Sequence, residues 1–441
     1  MGARQRLPKD PVEITIDSLS HDGRGVGHVD GKAVFVEGAL PGEQVRFCYT
    51  ARHRRYDEGR VVDVVKSSPD RVEPRCKHFQ MCGGCSLQHL SPMAQILAKQ
   101  DILLDNLQRI GHVVPARVLE PLQAEVWHYR DKARLSVRYV KKKNSVLVGF
   151  REKRSSYVTE TEQCEVLNGA VGRRIAELRA LIESLSIREF IPQVEVAAGD
   201  AEVCLIFRIL QPLPAEDESV LMKFGEKHGF TMRIQPEGPD SIYTLGDLSR
   251  PLHYNLPDWG IRVFFGPGDF TQVNMSVNRR MLSLAMSLLD VEQDDTVLDL
   301  FCGLGNFSLP LARRVKHVVG IEGEASMVAR AAENARANSI ENAQFYAADL
   351  FQDPPGASGW LANPYTKVLL DPPRSGAYEV VQWLPRKLLP HKIVYVSCNP
   401  ATLARDADIL VNHHGYRLRD AGVMDMFPHT AHVEAIALFE R

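Results

Sequence analysis

The 441-residue sequence predicts a multidomain α/β protein. The expected parts are a small N-terminal β-barrel, a central α+β region and a C-terminal Rossmann-like, doubly wound domain. Three observations carry this. Short strand patterns separated by glycine turns fill residues 12–66, and apolar runs alternate with helical stretches from residue 263 onward. Between them the chain opens with a cysteine cluster and has no single clear period. The expected boundaries are therefore 1–68, 69–262 and 263–441, with 93–124 reading as helix and able to pack on either neighbour.

The N-terminal strand candidates are Ile14–Ile16, Gly25–Val29, Ala33–Val36, Gln44–Phe47 and Gly59–Val65. Turns such as Asp30-Gly31 and Pro41-Gly42 separate them, which is the pattern of a small barrel. The basic run Arg52-His53-Arg54-Arg55-Tyr56 lies between the last two strands, where such a barrel presents nucleic-acid contacts; alone it equally fits a solvated loop. Hydrophobic residues at 44% and charged residues at 24% exclude a disordered or fibrous chain. No apolar run approaches the roughly 20 residues of a membrane helix. Met1–Arg6 has no apolar core behind it, so no secretory leader is expected, and Arg6 stands where a myristoylation site needs Ser or Thr. A cytoplasmic protein is expected. Its net charge of −2 does not by itself suggest nucleic acid, so charge is read segment by segment.

In the C-terminal region, Thr296–Leu300, His317–Ile321, Lys367–Leu370 and Lys392–Val396 read as parallel strands buried on both faces. The first leads into Asp299-Leu300-Phe301-Cys302-Gly303-Leu304-Gly305-Asn306-Phe307-Ser308, a glycine loop opening a helix. Glycines there let backbone approach a ligand at the carboxyl end of the strand. They would equally make an ordinary turn, but acids sharpen the pattern: Asp299, Glu322 at the end of the second strand, and Asp349 near a third. A strand-end acid can accept both ribose hydroxyls of an adenosine-bearing ligand. Ser308 stands where a dinucleotide fold wants glycine or alanine, so S-adenosyl-L-methionine, which needs no phosphate nest, fits better than NAD.

The fourth strand ends in Asp371-Pro372-Pro373-Arg374, whose prolines make a rigid loop. The fifth ends in Ser397-Cys398-Asn399-Pro400; a helix starting after Pro400 would favour a Cys398 thiolate. Further on, Phe427-Pro428-His429-Thr430-Ala431-His432-Val433-Glu434 leads into the last strand, Ala435–Phe439. Pyrimidine C5 is a poor nucleophile, but a thiolate adding to C6 makes an enolate at C5 that can attack a methyl sulfonium. A base must then remove the C5 proton. Cys398 and Glu434 supply that nucleophile and that base, although lone cysteines are usually inert and such a glutamate is usually an edge residue.

The S-C-N-P, D-P-P-R and F-P-H-T-x-H-V-E segments, with Phe270-Thr271-Gln272-Val273-Asn274 upstream, resemble the uridine-C5 RNA methyltransferases. The resemblance implies that Gln272, Phe301, Asn306, Glu322 and Asp349 contact S-adenosyl-L-methionine and that Asp371 lies between cofactor and target base. It likewise implies Cys398 as nucleophile and Glu434 as proton acceptor, with His429 and His432 ordering the loop.

Cys76, Cys82 and Cys85 form C-x5-C-x2-C, and Cys164 is the best candidate for a fourth ligand. Zinc is the usual partner of four cytosolic cysteines, but three clustered thiols and one remote thiol suit an iron–sulfur centre better. The resemblance points to a [4Fe-4S] cluster with a structural role, since this methylation route needs no electron transfer. Cys48 and Cys204 sit in apolar runs and read as structural.

Between Arg130 and Arg154 stand ten basic residues against two acidic ones. Arg134, Ser136 and Arg138 fall on one strand face, with Trp127, Tyr129 and Tyr139 nearby, a surface suited to RNA phosphates and unstacked bases. The N-terminal barrel resembles a TRAM domain, an OB-like RNA-binding module. Barrel, cysteine cluster and catalytic domain in this order resemble the branch that forms 5-methyluridine in 23S rRNA. The expected partner is thus 23S rRNA, with no DNA, no membrane and a monomeric enzyme. A tRNA uridine, another 23S rRNA uridine, or a non-catalytic RNA-binding iron–sulfur protein are the alternatives.

Overall fold

The computed structural model describes residues 7–8, 10–246, 251–352 and 359–441; Met1–Arg6, on which the leader reading rests, lie outside them. The N-terminal region is a six-stranded sheet in the order Val12–Thr15, Gln44–Arg52, Tyr56–Lys66, Lys32–Glu37, Gly25–Val29, Ser18–Leu19. Period-2 alternation buries Ile14, Val34, Val36, Val45 and Phe47 on one face. Ser18–Leu19, at two residues, is too short to leave an alternation signal and is absent from the sequence reading. Gly59 is dictated by packing: a Cβ there would stand 2.3 Å from the Phe47 ring.

The central region is a second six-stranded sheet, from Tyr243–Thr244 through Phe230–Gln235, Val203–Arg208, Gln193–Ala198 and Lys132–Val140 to Ser145–Gly149. Helices Ile175–Ser184 and Ala215–His228 contribute Leu178, Ile182 and Leu221 to its core. Along Lys132–Val140, Ala133, Leu135 and Val137 are buried while Arg134 and Arg138 are exposed, the alternation that the sequence predicts.

The C-terminal sheet has eight strands: Ala343–Ala347, His317–Glu322, Thr296–Leu300, Lys367–Leu370, Lys392–Ser397, Glu434–Glu440, Arg417–Met424 and Arg117–Val118. The first five are parallel. The chain reverses its direction of sheet growth between Thr296–Leu300 and Lys367–Leu370, which opens a crevice at their carboxyl ends. Glu434–Glu440 inserts antiparallel beside Lys392–Ser397, bringing Glu434 to the same end as Cys398.

The stretch 93–124 joins this sheet. Helix Pro92–Arg109 starts with proline in its first turn and with the Ser91 side chain accepting from Ala94 N. Its Ile96, Leu103 and Leu107 share one core with Leu298, Val319 and Leu403, and Arg117–Val118 forms the sheet's outer strand. Among the described residues no helix is long and apolar enough to cross a membrane.

Candidate active site

The glycine loop begins at a buried acid. Asp299 accepts from Ser308 Oγ through one oxygen at 2.5 Å, and its other oxygen is buried without a partner. The backbone then turns left-handed at Phe301 (φ 66°), Gly303 (54°) and Gly305 (88°). For a phenylalanine this is a strained conformation, of the kind that concentrates at ligand sites. Glu322 closes the loop: Gly303 N donates to one of its oxygens at 3.0 Å and Gly323 N to the other at 2.7 Å. Phe301 stands with its ring 5.7 Å from Phe351.

The other expected contacts sit around this loop in different ways. Gln272 is half-buried in the turn before helix Met275–Leu289. Asn306 exchanges amide bonds with Asn278 (2.9 and 3.0 Å) and accepts from the Tyr254 hydroxyl at 3.0 Å, so most of its hydrogen-bonding capacity shapes the loop from behind. Asp349 is exposed and accepts from Phe351 N at 3.0 Å and from Gln352 Nε2 at 2.9 Å. Asp371 ends the fourth strand, its N–H donating to Leu300 O at 3.3 Å.

Asp299, Glu322, Asp371 and Glu434 form a chain of mutually repelling carboxyls. Burial, then Glu322, lifts the Asp371 carboxyl to about 7. Burial lifts Asp299 to about 7 against the opposing Ser308 bond, with Asp371 and Glu322 adding to the rise. Burial and Asp371 hold Glu434 well above the usual carboxylate range. Asp299, Asp371 and Glu434 are primed for a cation, since a positive charge in the crevice lowers the cost of ionising them.

Cys398 lies at the end of strand Lys392–Ser397, within the electrostatic reach of Glu434 and Asp371. The expected helix does follow, Pro400–Asp408, with Asn399 capping Ala401 N. It does not deliver a thiolate. Burial and the two carboxyls push the thiol up to about 11, outweighing the helix terminus. Cys398 opens into a cavity of about 1390 Å³ that Arg109, Arg130, Arg374 and His21 also line.

Comparison with known proteins follows this geometry. The tRNA (Uracil-5-)-methyltransferase family profile matches residues 254–351 and 362–441, and the TRAM domain profile matches residues 8–62. The chain is 54% identical over 441 residues to the 23S rRNA (uracil(1939)-C(5))-methyltransferase RlmD of Methylococcus capsulatus, covering 100% of this chain and 99% of that protein. The chain belongs to the RlmD family. The RlmD of Xanthomonas campestris pv. campestris is 52% identical over 442 residues, covering 100% of this chain and 99% of its own. The crystal structure of Pyrococcus abyssi tRNA (uracil-54, C5)-methyltransferase in complex with S-adenosyl-L-homocysteine superposes with a TM-score of 0.72 at 26% identity. It covers 97% of this chain and 100% of that one.

In this RlmD-family chain the four expected metal-site cysteines, Cys76, Cys82, Cys85 and Cys164, line the same cavity as Cys398. Gly83 and Gly84 let the loop fold tightly: a Cβ on Gly83 would meet Arg151 O at 2.9 Å, and Gly84 N donates to Cys82 Sγ at 3.4 Å. Burial lifts the thiols, Cys85 to about 12 and Cys164 to about 11. Among the described residues no group of three or more Cys, His, Asp or Glu is arranged to hold a metal ion.

The RNA face predicted for Arg130–Arg154 is smaller than its charge count. Arg130 donates to Lys132 O, and Lys132 to Asp269 O. Arg134, Lys153 and Arg154 pair with Glu195, Glu37 and Glu58. Trp127 and Tyr129 are not on that face: Trp127 stacks on His429 at 3.9 Å, and Tyr129, 6% exposed, donates to Pro428 O at 3.0 Å. Sequence reasoning also missed Gln95 and Lys99, which hold the 427–429 loop. A signal was present, because Lys99 falls at helical spacing with the apolar Ile96 and Leu103. A lysine in a buried stripe needs a partner, here Asp425 at 2.7 Å.

Proposed function

We propose that this chain transfers a methyl group from S-adenosyl-L-methionine to C5 of a uridine in 23S rRNA through a covalent adduct with Cys398. The observation that carries the reading is the meeting of Cys398, Glu434 and Asp371 where the glycine-loop crevice adjoins the large cleft. When bound, S-adenosyl-L-methionine supplies an electrophilic methyl and one positive charge. Glu322 receives the ribose hydroxyls, and Gln272, Phe301, Asn306 and Asp349 complete the cofactor pocket. Asp371 stands between cofactor and base.

A uridine flipped out of its loop enters from the cleft. The Cys398 thiol gives up its proton to water in the cleft and its sulfur bonds to C6, which places an electron pair on C5. C5 bonds to the methyl carbon as the carbon–sulfur bond of the sulfonium breaks, its electrons staying on sulfur. The Glu434 carboxylate, ionised while the sulfonium is bound and made more basic when methyl transfer removes that charge, takes the C5 proton. The released pair restores the C5–C6 double bond and expels the Cys398 thiolate.

Cys76, Cys82, Cys85 and Cys164 are read as ligands of a [4Fe-4S] cluster: all four line one cavity, and a backbone N–H points at Cys82 Sγ. The cluster would serve as a staple for the cleft wall. The N-terminal TRAM sheet is read as a closed OB-like barrel, because its two edge strands, Val12–Thr15 and Ser18–Leu19, are separated by only Ile16 and Asp17. Residues 1–68, 69–262 and 263–441 remain the proposed functional divisions, with 93–124 assigned to the catalytic part. The reading includes a monomeric enzyme, and an rRNA substrate supports a cytoplasmic one.

The test is methyl transfer from labelled S-adenosyl-L-methionine to unmodified 23S rRNA and, separately, to unmodified tRNA, with the product base mapped. Label at C5 of one 23S rRNA uridine is expected. Label confined to tRNA keeps the chemistry and overturns the substrate; label in neither favours the binding-protein alternative.

A further inference from the structure

The loop that leads to Glu434 is held by segments far from it in the chain. Three consecutive carbonyls are each tied to a different element. Phe427 O accepts from Lys99 Nζ at 3.0 Å, Pro428 O from the Tyr129 hydroxyl at 3.0 Å, and His429 O from Ser86 N and Leu87 N at 2.9 and 3.0 Å. His429 itself is left-handed (φ 65°) and 1% exposed, a conformation a non-glycine residue keeps only when its surroundings impose it. They do so here. His429 N donates to Gln95 Oε1 at 2.8 Å, and its ring is stacked on Trp127 with the planes 24° apart.

Tyr129 and Trp127 belong to a strap, Trp127–Asp131, that is anchored at both ends of the site. His128 N and Arg130 N donate to Glu165 O and Val166 O, the two residues after Cys164, both at 2.9 Å. At the other end, Asp131 N donates to Val273 O at 2.9 Å, beside Gln272. Ser86, which holds His429, directly follows Cys85. The strap and the cysteine loop thus form one hydrogen-bonded frame around the base loop.

We infer that Tyr129, seconded by Trp127, is a positioning residue for proton abstraction, fixing through Pro428 and His429 the loop that delivers Glu434. The inference rests on the reading of Glu434 as the base. It predicts a particular failure. Loosening the loop slows removal of the C5 proton while leaving cofactor binding and methyl transfer in place, so methylated RNA stays attached to Cys398.

The experiment compares wild type, Glu434→Gln, Tyr129→Phe and Trp127→Phe, each purified as the full chain with its cysteine site loaded. Measured for each are kcat, KM for RNA, Kd for S-adenosyl-L-methionine, and the fraction of enzyme carrying RNA on a denaturing gel. Tyr129→Phe removes one hydroxyl and keeps the buried ring. It is expected to lower kcat about tenfold, with KM and Kd within about twofold of wild type and adduct accumulating. Trp127→Phe moves the same way by less. If Glu434→Gln accumulates adduct while Tyr129→Phe turns over normally, or loses activity through KM and Kd with no adduct, the positioning role is overturned. If Glu434→Gln itself gives no adduct, the base reading falls and the inference falls with it, a distinct result.

Discussion

The crevice of the C-terminal sheet and the cysteine cavity are built on the same physical plan from different chemistry. One gathers Asp299, Glu322, Asp371 and Glu434; the other gathers Cys76, Cys82, Cys85 and Cys164. In both, burial and like neighbours lift acidic groups: Asp371 to about 7 and Cys85 to about 12. Such a cluster is good at receiving a cation, because the cation offsets the cost of ionising several acids at once. The difference lies in hardness and access. Carboxyls at strand ends suit a small organic cation that comes and goes. Thiols fixed by turns at Gly83 and Gly84 offer softer donors, in keeping with the metal centre proposed for them.

The largest effect is expected at the thiols. Cys164→Ser leaves three soft ligands where the proposed cluster needs four, so iron content is expected to fall close to zero and Tm by roughly 10 °C. Retention of full iron after purification would break the comparison on that side. A smaller effect is expected at Glu322. Glu322→Ala removes the acceptor of Gly303 N and the proposed ribose acceptor together, weakening S-adenosyl-L-methionine roughly 10- to 100-fold by calorimetry. An unchanged Kd would move the cofactor elsewhere.

The pH dependence of cofactor binding sharpens the comparison most. With Asp371 and Asp299 lifted to about 7, both carry protons below that pH, and binding a sulfonium favours their ionised forms. Protons are therefore released on binding. Affinity is expected to fall as pH drops below about 7, up to about tenfold per pH unit for each proton released, and to level off above it. Calorimetry in buffers of different ionisation enthalpy counts those protons. A flat affinity from about pH 5.5 to about pH 8 would contradict the cation-primed crevice.

Much of this was legible in the residues because the signals are local. Strands Thr296–Leu300 and Lys367–Leu370 stand where apolar runs predict them, since a strand buried on both faces needs no partner to declare itself. Cys398 and Glu434 are brought to one end of the sheet only by the antiparallel insertion of Glu434–Glu440, which no period in the sequence encodes. Trp127 and Tyr129 were misplaced on an RNA face because an aromatic beside basic residues looks alike whether it meets a base or His429. The Cys398 thiol was misjudged for a related reason: the helix after Pro400 is written in the sequence, whereas the carboxyls that oppose it arrive from strands far along the chain.

The central claim is that Cys398 joins covalently to the uridine it helps methylate. The most direct measurement is mass spectrometry of the peptide carrying RNA after Glu434→Gln enzyme is incubated with S-adenosyl-L-methionine and 23S rRNA, denatured and digested. The account predicts a methylated uridine nucleotide on the peptide that contains Cys398, and no adduct when Cys398→Ala is added. Methylated RNA formed without any adduct, or an adduct on another cysteine, would contradict it.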